Sequence, residues 1–241
     1  MSELVLHRGG ELVTLDQLDL IQLPKATETY VPVSHFGLAN KLKVMSQDLL
    51  KGFTLSKESY GVARQGQQLF GILRFQNGDP NIGMSLGFRN SYDQSMSIGI
   101  CLGANVFVCD NLAFSGGIAI MRKHTKNVWD ELEERTIAVL YKENYRYGQI
   151  VDDAHRFEAL EMNDDEGFRQ LGALFGHGVI GPRQLVVAKD EWIHSSHEEF
   201  NARNAWSLYN CVTEALKTSA PNAIMENHVQ VHEHFKGLVP A

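Results

Sequence analysis

An apolar stripe at helical spacing opens the regular part of the chain. Leu38, Leu42 and Met45 follow one another at intervals of four and three residues, which puts them on one face of a helix. Ser34 stands just before this segment, and serine caps helices through its hydroxyl. The pattern therefore predicts a helix that begins after Ser34 and ends near Gly52.

After Phe53, and as far as about His124, the pattern changes to short apolar or alternating runs separated by glycine, asparagine and aspartate. Such runs are typical of antiparallel strands. We predict strands over 71–75, 82–88, 97–102 and 106–109, with turns over 76–80 and 103–105. The middle of the chain is therefore expected to form a sheet.

Helical spacing returns in the second half of the chain. Apolar positions between Val128 and Leu160 are set among many acids, which indicates one long helix or a broken pair. Three further segments are a helix capped by Asn163 that ends at the glycines 176 and 178, a short apolar segment over 185–188 and an amphipathic helix over 200–216.

These segments predict a single α+β domain over residues 1–241. An antiparallel sheet at about 53–124, in the first half, is packed by helices mostly from the second half, at about 127–236. Of the 241 residues, 44% are hydrophobic and 21% are charged, as in folded proteins rather than disordered ones. No apolar run approaches the roughly 20 residues of a membrane span, and the N-terminus lacks a signal-peptide layout, so we expect a cytoplasmic protein.

Charge is distributed unevenly between the two halves. Residues 1–126 hold 12 Lys/Arg and 10 Asp/Glu, a net charge of +2, whereas residues 127–241 hold 10 and 19, a net charge of −9. Proteins that coat duplex DNA usually present a dense basic face, because neutralised phosphates supply most of the affinity. The sequence has no such density of basic residues, although a local basic surface in the first half is still an open alternative.

The sequence gives only weak indications of a metal site, a bound cofactor or a reactive thiol. His228, His232 and His234 are spaced like some zinc ligands, but a polar terminal helix is the favoured interpretation. No Walker loop, dinucleotide-binding glycine motif or nucleophile elbow occurs, and we expect no cofactor and no metal. The three cysteines, Cys101, Cys109 and Cys211, are an odd number without metal-ligand pairing and are interpreted as reduced thiols.

The most specific polar feature is the run Asn90-Ser91-Tyr92-Asp93-Gln94-Ser95 between two predicted strands. Such residues usually bond their own backbone and shape a turn. Ser91, Asp93, Asn111 and His124 all lie at predicted strand ends, however, so a sheet could gather them into a polar site on one rim.

These residues carry a resemblance to a known family. The polar run, the later run Phe-Val-Cys-Asp-Asn-Leu and a basic element before His124 are similar to the phage and plasmid proteins catalogued as domain of unknown function 932, over roughly residues 28–216. The motif residues are Asn90, Ser91, Asp93, Ser95, Cys109, Asn111 and His124. Tyr92 stands where the family has histidine, and Gln94 and Ala113 where it has glycine, which predicts a turn different from a glycine turn.

The resemblance implies a protein of a mobile element, in the cytoplasm of a host cell. By analogy with small α+β proteins that anneal or protect single strands, the first hypothesis is binding of single-stranded nucleic acid, by a homo-oligomer. Aromatic and basic side chains interleaved on a sheet can stack bases and contact phosphates. The candidate contacts are Arg74, Phe75, Arg89, Tyr92, Arg122 and Lys123.

Two other hypotheses stay open. In the first, the acidic runs 130–134, 152–153 and 164–166 bind a basic cleft of a host nucleic-acid or defence enzyme and inhibit or titrate it. In the second, Asp93 and His124, with Cys109 and Asn111, form a hydrolase site. Because the residue types occur without a recognisable catalytic motif, we expect a binding protein rather than an enzyme.

Overall fold

The computed structural model describes residues 10–78, 82–106, 111–114, 120–122, 128–219 and 223–240. The strands are β1 Glu11–Val13, β2 Thr54–Ala63, β3 Gln68–Gln76, β4 Ile82–Ser91, β5 Ile98–Val106, β6 Asn111–Phe114 and β7 Ile120–Arg122. The helices are α1 Leu15–Asp19, α2 His35–Leu49, α3 Val128–Ala159, α4 Asp164–Gly176, α5 Pro182–Ile193, α6 Ala205–Leu216 and α7 Ile224–Lys236, with a 3-10 helix at Glu198–Ala202.

The strands form one antiparallel sheet in the order β1-β2-β3-β4-β5-β6. The strand β7 pairs with the first residues of β5, and β6 pairs with its last residues, so both lie along the same edge of β5. The sheet is built from the first half of the chain and the longer helices, apart from α2, come from the second half. The predicted α+β class is confirmed.

Alternation along the central strands sorts their side chains onto two faces. Leu73 of β3, Leu86 of β4 and Ile100 of β5 share one face and join the main core together with Leu38 of α2 and Leu132 of α3. Since these residues are almost fully buried, this face is the layer that holds the sheet and the helices together.

The opposite face of the central strands carries Phe70, Ile72 and Cys101, which pack against Ile224 and Met225 at the start of α7. We call this the α7-covered face. Helices therefore pack on both sides of the sheet, which explains why β3 and β4 are buried along nearly their whole length.

Some local predictions are wrong. The turn predicted over 103–105 lies inside β5, where the three residues pair with β4 on one side and β6 on the other. Ladder bonds to two neighbouring strands outweigh the local turn tendency. The apolar segment 185–188, for which no element was predicted, lies inside helix α5. Of the two alternatives for the long acidic segment, one long helix or a broken pair, the structure has the single 32-residue helix α3. The amphipathic helix begins at Ala205, because Arg203 in a left-handed conformation ends the preceding 3-10 turn.

Candidate functional site

The motif Asn90–Ser95 forms the last two residues of β4 and the compact turn that leads to β5. The Asp93 carboxylate accepts hydrogen bonds from the amide and the hydroxyl of Ser95. Gln68, at the start of β3, donates from Nε2 to Asp93 Oδ2 at 3.1 Å and to Ser95 Oγ at 2.7 Å. The polar side chains of the motif thus bond one another and their own backbone, which is the ordinary structural use of such residues.

Hydrogen bonding also sets the charge state of Asp93. Burial alone would raise the pKa of its carboxyl, but hydrogen bonds from Ser95 and Gln68 and the nearby charge of Arg64 outweigh burial and lower it. A carboxylate with a lowered pKa is a weak base. The arrangement therefore favours a structural carboxylate over the general base of a hydrolase.

The backbone at Gln94 corrects one expectation from the sequence. Gln94 has a φ of 60°, in the left-handed region that glycine adopts most easily. The turn therefore keeps the geometry of a glycine turn although the glycine is absent, and the prediction of a different turn is wrong. A non-glycine residue in this region is strained.

Asn90 and Tyr92 anchor the segment before α2. Asn90 Nδ2 donates to the carbonyl of Val33 at 2.7 Å and lies 2.9 Å from His35 Nδ1. His35 Nε2 lies 3.0 Å from the carbonyl oxygen of Gly66 and must donate to it, so Nδ1 accepts from Asn90. Nothing in the sequence singles out His35 except its position after the Ser34 cap.

Tyr92 already stacks within the protein. Its ring lies parallel to the His35 imidazole, with centroids 3.8 Å apart, and its hydroxyl accepts a hydrogen bond from the His35 amide at 2.8 Å. The side chain is buried, so it offers no face on which a base could stack. The prediction that Tyr92 forms part of a stacking surface is therefore wrong for this conformation.

Arg74 and Phe75 are likewise enclosed. Phe75 belongs to the main core, and Arg74 on the opposite face is 2% exposed, with Nη1 donating to Ser59 Oγ at 3.2 Å. Apolar strand residues such as Phe75 are usually buried in the core. The predicted surface contacts of Arg74 and Phe75 with nucleic acid are not available in this structure.

Arg89 is held by a carboxylate from the far end of the chain. Its Nη1 and Nη2 donate to the two carboxylate oxygens of Glu226 at 3.0 and 2.8 Å. The Arg89 side chain is 4% exposed, whereas that of Glu226 is 36% exposed. The two residues are 137 positions apart, and no sequence pattern pointed to Glu226.

Arg64 lies at the same end of the sheet. It belongs to the turn between β2 and β3, its side chain is 68% exposed and its Nη1 is 3.3 Å from Asp93 Oδ2. Arg89 is paired across strands with Phe70, the third residue of β3, and therefore lies near this turn. We call Arg64, Arg89, Asp93 and Glu226 the arginine end of the sheet.

The structure separates the residues of the predicted rim site. Asp93 follows β4 and precedes β5, whereas Asn111 is paired with Val106 at the other end of β5. The length of β5 places these two ends roughly 27 Å apart. Ser91 and Asp93 therefore do not meet Asn111, and the prediction of one shared polar site is wrong. His124, Cys109 and Lys123 lie outside the described residues, as do the side chains of Asn111 and Arg122.

The C-terminal histidines take structural positions. His232 Nε2 is 3.2 Å from Asp153 Oδ2, and the Tyr209 hydroxyl is 3.5 Å from His232 Nδ1, so a buried polar chain joins α3, α6 and α7. His234 contacts Gln170 at 2.9 Å. Within the described ranges, no group of three or more His, Cys, Asp or Glu side chains is placed to hold a metal ion.

Cys101 and Cys211 are buried thiols that form no disulfide within the described part of the chain. Burial, followed by the charge of Glu191, raises the pKa of Cys211 to about 12. A thiol with such a pKa stays protonated at neutral pH and is a poor nucleophile. Cys211 therefore acts as a small core residue.

The acidic runs lie mostly on the surface of the helical half. Asp130, Glu134 and Asp165 are exposed, and Asp164 forms an exposed ion pair with Arg203 at 3.3 Å. Asp153 is the exception, because it is buried against His232. Large apolar side chains are exposed on the neighbouring helices α4 and α5, namely Phe168, Phe175, Val186 and Ile193.

Comparison with known proteins gives no relative: no family model, no curated protein and no solved structure matches the chain. The resemblance to domain of unknown function 932 therefore stays a prediction. In the part of the chain that the structure describes, no helix has the length and apolar character needed to cross a membrane.

Proposed function

We propose that the chain binds single-stranded nucleic acid at the arginine end of the sheet. The proposal is carried by one observation: two arginines, Arg64 and Arg89, lie at this end, each against a carboxylate. Arg89 is itself buried, but its partner Glu226 is partly exposed, whereas Ser59, which accepts from Arg74, is buried. A guanidinium group that binds a carboxylate also binds phosphate, because both anions present oxygens to its planar fork. The predicted contacts Arg74, Phe75 and Tyr92 have no part in this revised interface.

A single strand suits this arrangement better than a duplex. The chain has a net charge of −7 and lacks the dense basic face that duplex binding requires. A flexible strand can place neighbouring phosphates on two arginines that differ in exposure, and it leaves bases available for further contacts. Two phosphate contacts predict a salt slope of about −1.4, or a roughly sevenfold loss of affinity between 50 and 200 mM salt.

The test is fluorescence anisotropy with a labelled oligothymidylate and a labelled duplex over a salt series. Arg64→Gln and Arg89→Gln should each weaken binding of the single strand and lower the salt slope by about 0.7. Arg169→Gln is the matched control, because it removes the same charge from an exposed position on α4. Binding that is absent at low salt, or equally weakened by all three variants, would contradict the proposal.

Light scattering on the same samples measures the molar mass. A mass of two or more times 27.0 kDa would support the predicted homo-oligomer, and a mass of about 27.0 kDa would contradict it.

A second candidate function is binding of a positively charged protein by the helical half. The observation that favours it is the pair of exposed stripes, Phe168 with Phe175 on α4 and Val186 with Ile193 on α5, each at an interval of seven residues. Residues 127–241 around these stripes have a net charge of −9. Apolar side chains surrounded by charge of one sign are typical of protein interfaces.

The variants Phe175→Ser and Val186→Ser test this candidate by chemical crosslinking in lysate of the source cells. The wild type should capture a specific protein with a basic surface, and both variants should lose it. Leu20→Ser is the control, because Leu20 is 84% exposed but lies beyond α1. Equal capture by all four proteins would dismiss the surface.

A further inference from the structure

The Glu226 carboxylate occupies the position on Arg89 that a phosphate would need. Both carboxylate oxygens accept from the two terminal nitrogens of Arg89, at 3.0 and 2.8 Å. This bidentate arrangement is also the one in which arginine binds a phosphate group. One guanidinium edge cannot bind two such anions at once.

The exposure of the pair shows from which side the site opens. The Arg89 side chain is almost fully buried, whereas about a third of the Glu226 side chain reaches solvent. The carboxylate is therefore the part of the pair that an incoming anion meets first. Because one partner is buried and the other is partly exposed, the competition is expected to be at least as strong as the upper end of the range for exposed ion pairs.

The buried residues that hold the start of α7 on the sheet do not include Glu226. Ile224 and Met225, just before it on α7, are buried against Phe70, Ile72 and Cys101 and hold the helix on the sheet. We therefore expect an exchange of the carboxylate for a phosphate to move the Glu226 side chain, while Ile224 and Met225 keep α7 on the sheet.

We infer that Glu226 is an intramolecular competitor that a phosphate of the nucleic acid must displace from Arg89. The inference rests on the proposed function and adds a regulatory residue to its site. With a competitor of this kind, the apparent affinity equals the intrinsic affinity multiplied by the fraction of molecules in which Glu226 does not occupy Arg89. Removing a partly exposed ion pair should then tighten binding by about fivefold.

Three substitutions separate competition from a general charge effect in the anisotropy assay with oligothymidylate. Glu226→Gln removes the competing charge, and Glu226→Asp keeps the charge but shortens the side chain by one methylene group. Glu233→Gln is the control, because it removes the same charge from the same helix where the partner is Lys236, with an N–O distance of 3.8 Å. Circular dichroism melting checks that each variant is folded.

We expect Glu226→Gln to bind about fivefold more tightly, Glu226→Asp to bind more tightly by a smaller factor and Glu233→Gln to resemble the wild type. The double variant Arg89→Gln, Glu226→Gln should lose the gain. Equal gains for the Gln variants at 226 and 233, or wild-type affinity for both variants at 226, would overturn the competition while leaving the proposed function intact. If no protein in the set binds the oligonucleotide, the proposed function itself fails.

Discussion

The contact between Gly71 and Phe88 gives a sharp test of the sheet that carries Arg89. These two residues are paired across β3 and β4, and the Phe88 ring lies over the glycine. A Cβ atom at position 71 would lie 2.2 Å from Phe88 Cζ and 2.6 and 2.7 Å from its two Cε atoms. Carbon atoms pack at about 3.5–4.0 Å, so Gly71→Ala requires the ring to move by more than about 1 Å.

The cost of this movement is high because Phe88 has no exposed surface and neighbours Tyr60 in the core. Overpacking a filled core costs about 1–3 kcal/mol, and the rigid ring puts this site at the upper end. Replacing glycine in a strand returns about 0.5–1 kcal/mol. We therefore expect Gly71→Ala to lower the free energy of unfolding by about 2 kcal/mol.

Urea unfolding followed by tryptophan fluorescence measures this loss. Phe88→Leu removes the overlapping ring atoms, so Gly71→Ala in that background should be neutral or slightly stabilising. A double-mutant cycle should then give a coupling of about 2 kcal/mol or more. Gly148→Ala is the control, because no atom of the described residues lies within 4 Å of the added methyl group in α3, and it should stabilise by about 1 kcal/mol. A loss at Gly71 that is the same in both backgrounds would refute the reasoning.

Three further predictions follow from local geometry. Gln94→Gly relieves a φ of 60° and should raise the free energy of unfolding by about 1 kcal/mol; an unchanged urea midpoint would refute the strain. Gly167→Ala places a methyl group 2.8 Å from Trp192 Nε1 and should lower the free energy of unfolding by about 1 kcal/mol. Gly172→Ala, which has no neighbour within 4 Å in the described part of the chain, should raise it by a similar amount, and equal effects of the two variants in urea unfolding would contradict this. Burial lowers the pKa of His234 from 6.5, so the contribution of its neutral form to stability is complete above pH 6.5 and is lost as the pH falls through the pKa of the folded state. The difference in unfolding free energy between wild type and His234→Gln should therefore shrink between about pH 8 and 5, and a constant difference would refute the shift.

Features that depend on neighbouring residues were predictable from the sequence. The Ser34 hydroxyl accepts from the Gly37 amide and the Asn163 side chain accepts from the Glu166 amide, as the capping patterns predicted for α2 and α4. Both bonds span three residues, so the information that determines them lies within one helical turn. The α+β class followed in the same way, because the change from strand-like to helical spacing is a local property.

Features that depend on distant partners were not predictable. Residues 103–105 resemble a turn locally, yet pairing with β4 and β6 makes them part of a strand. Arg74 and Tyr92 have side chains suited to a binding surface, but the chain folds so that both are buried. Burial depends on which elements pack over a strand, and alternation along the strand cannot reveal that.

The candidate site illustrates the same division. The sequence by itself determined that the run Asn90–Ser95 joins two strands and that Arg64 and Arg89 belong to the half with the positive net charge. Only the tertiary structure brought Glu226 onto Arg89 and placed Asn111 at the opposite end of β5 from Asp93. The physical reason is that ion pairs and the ends of a sheet are set by the path of the whole chain, whereas caps and turns are set by bonds between near neighbours.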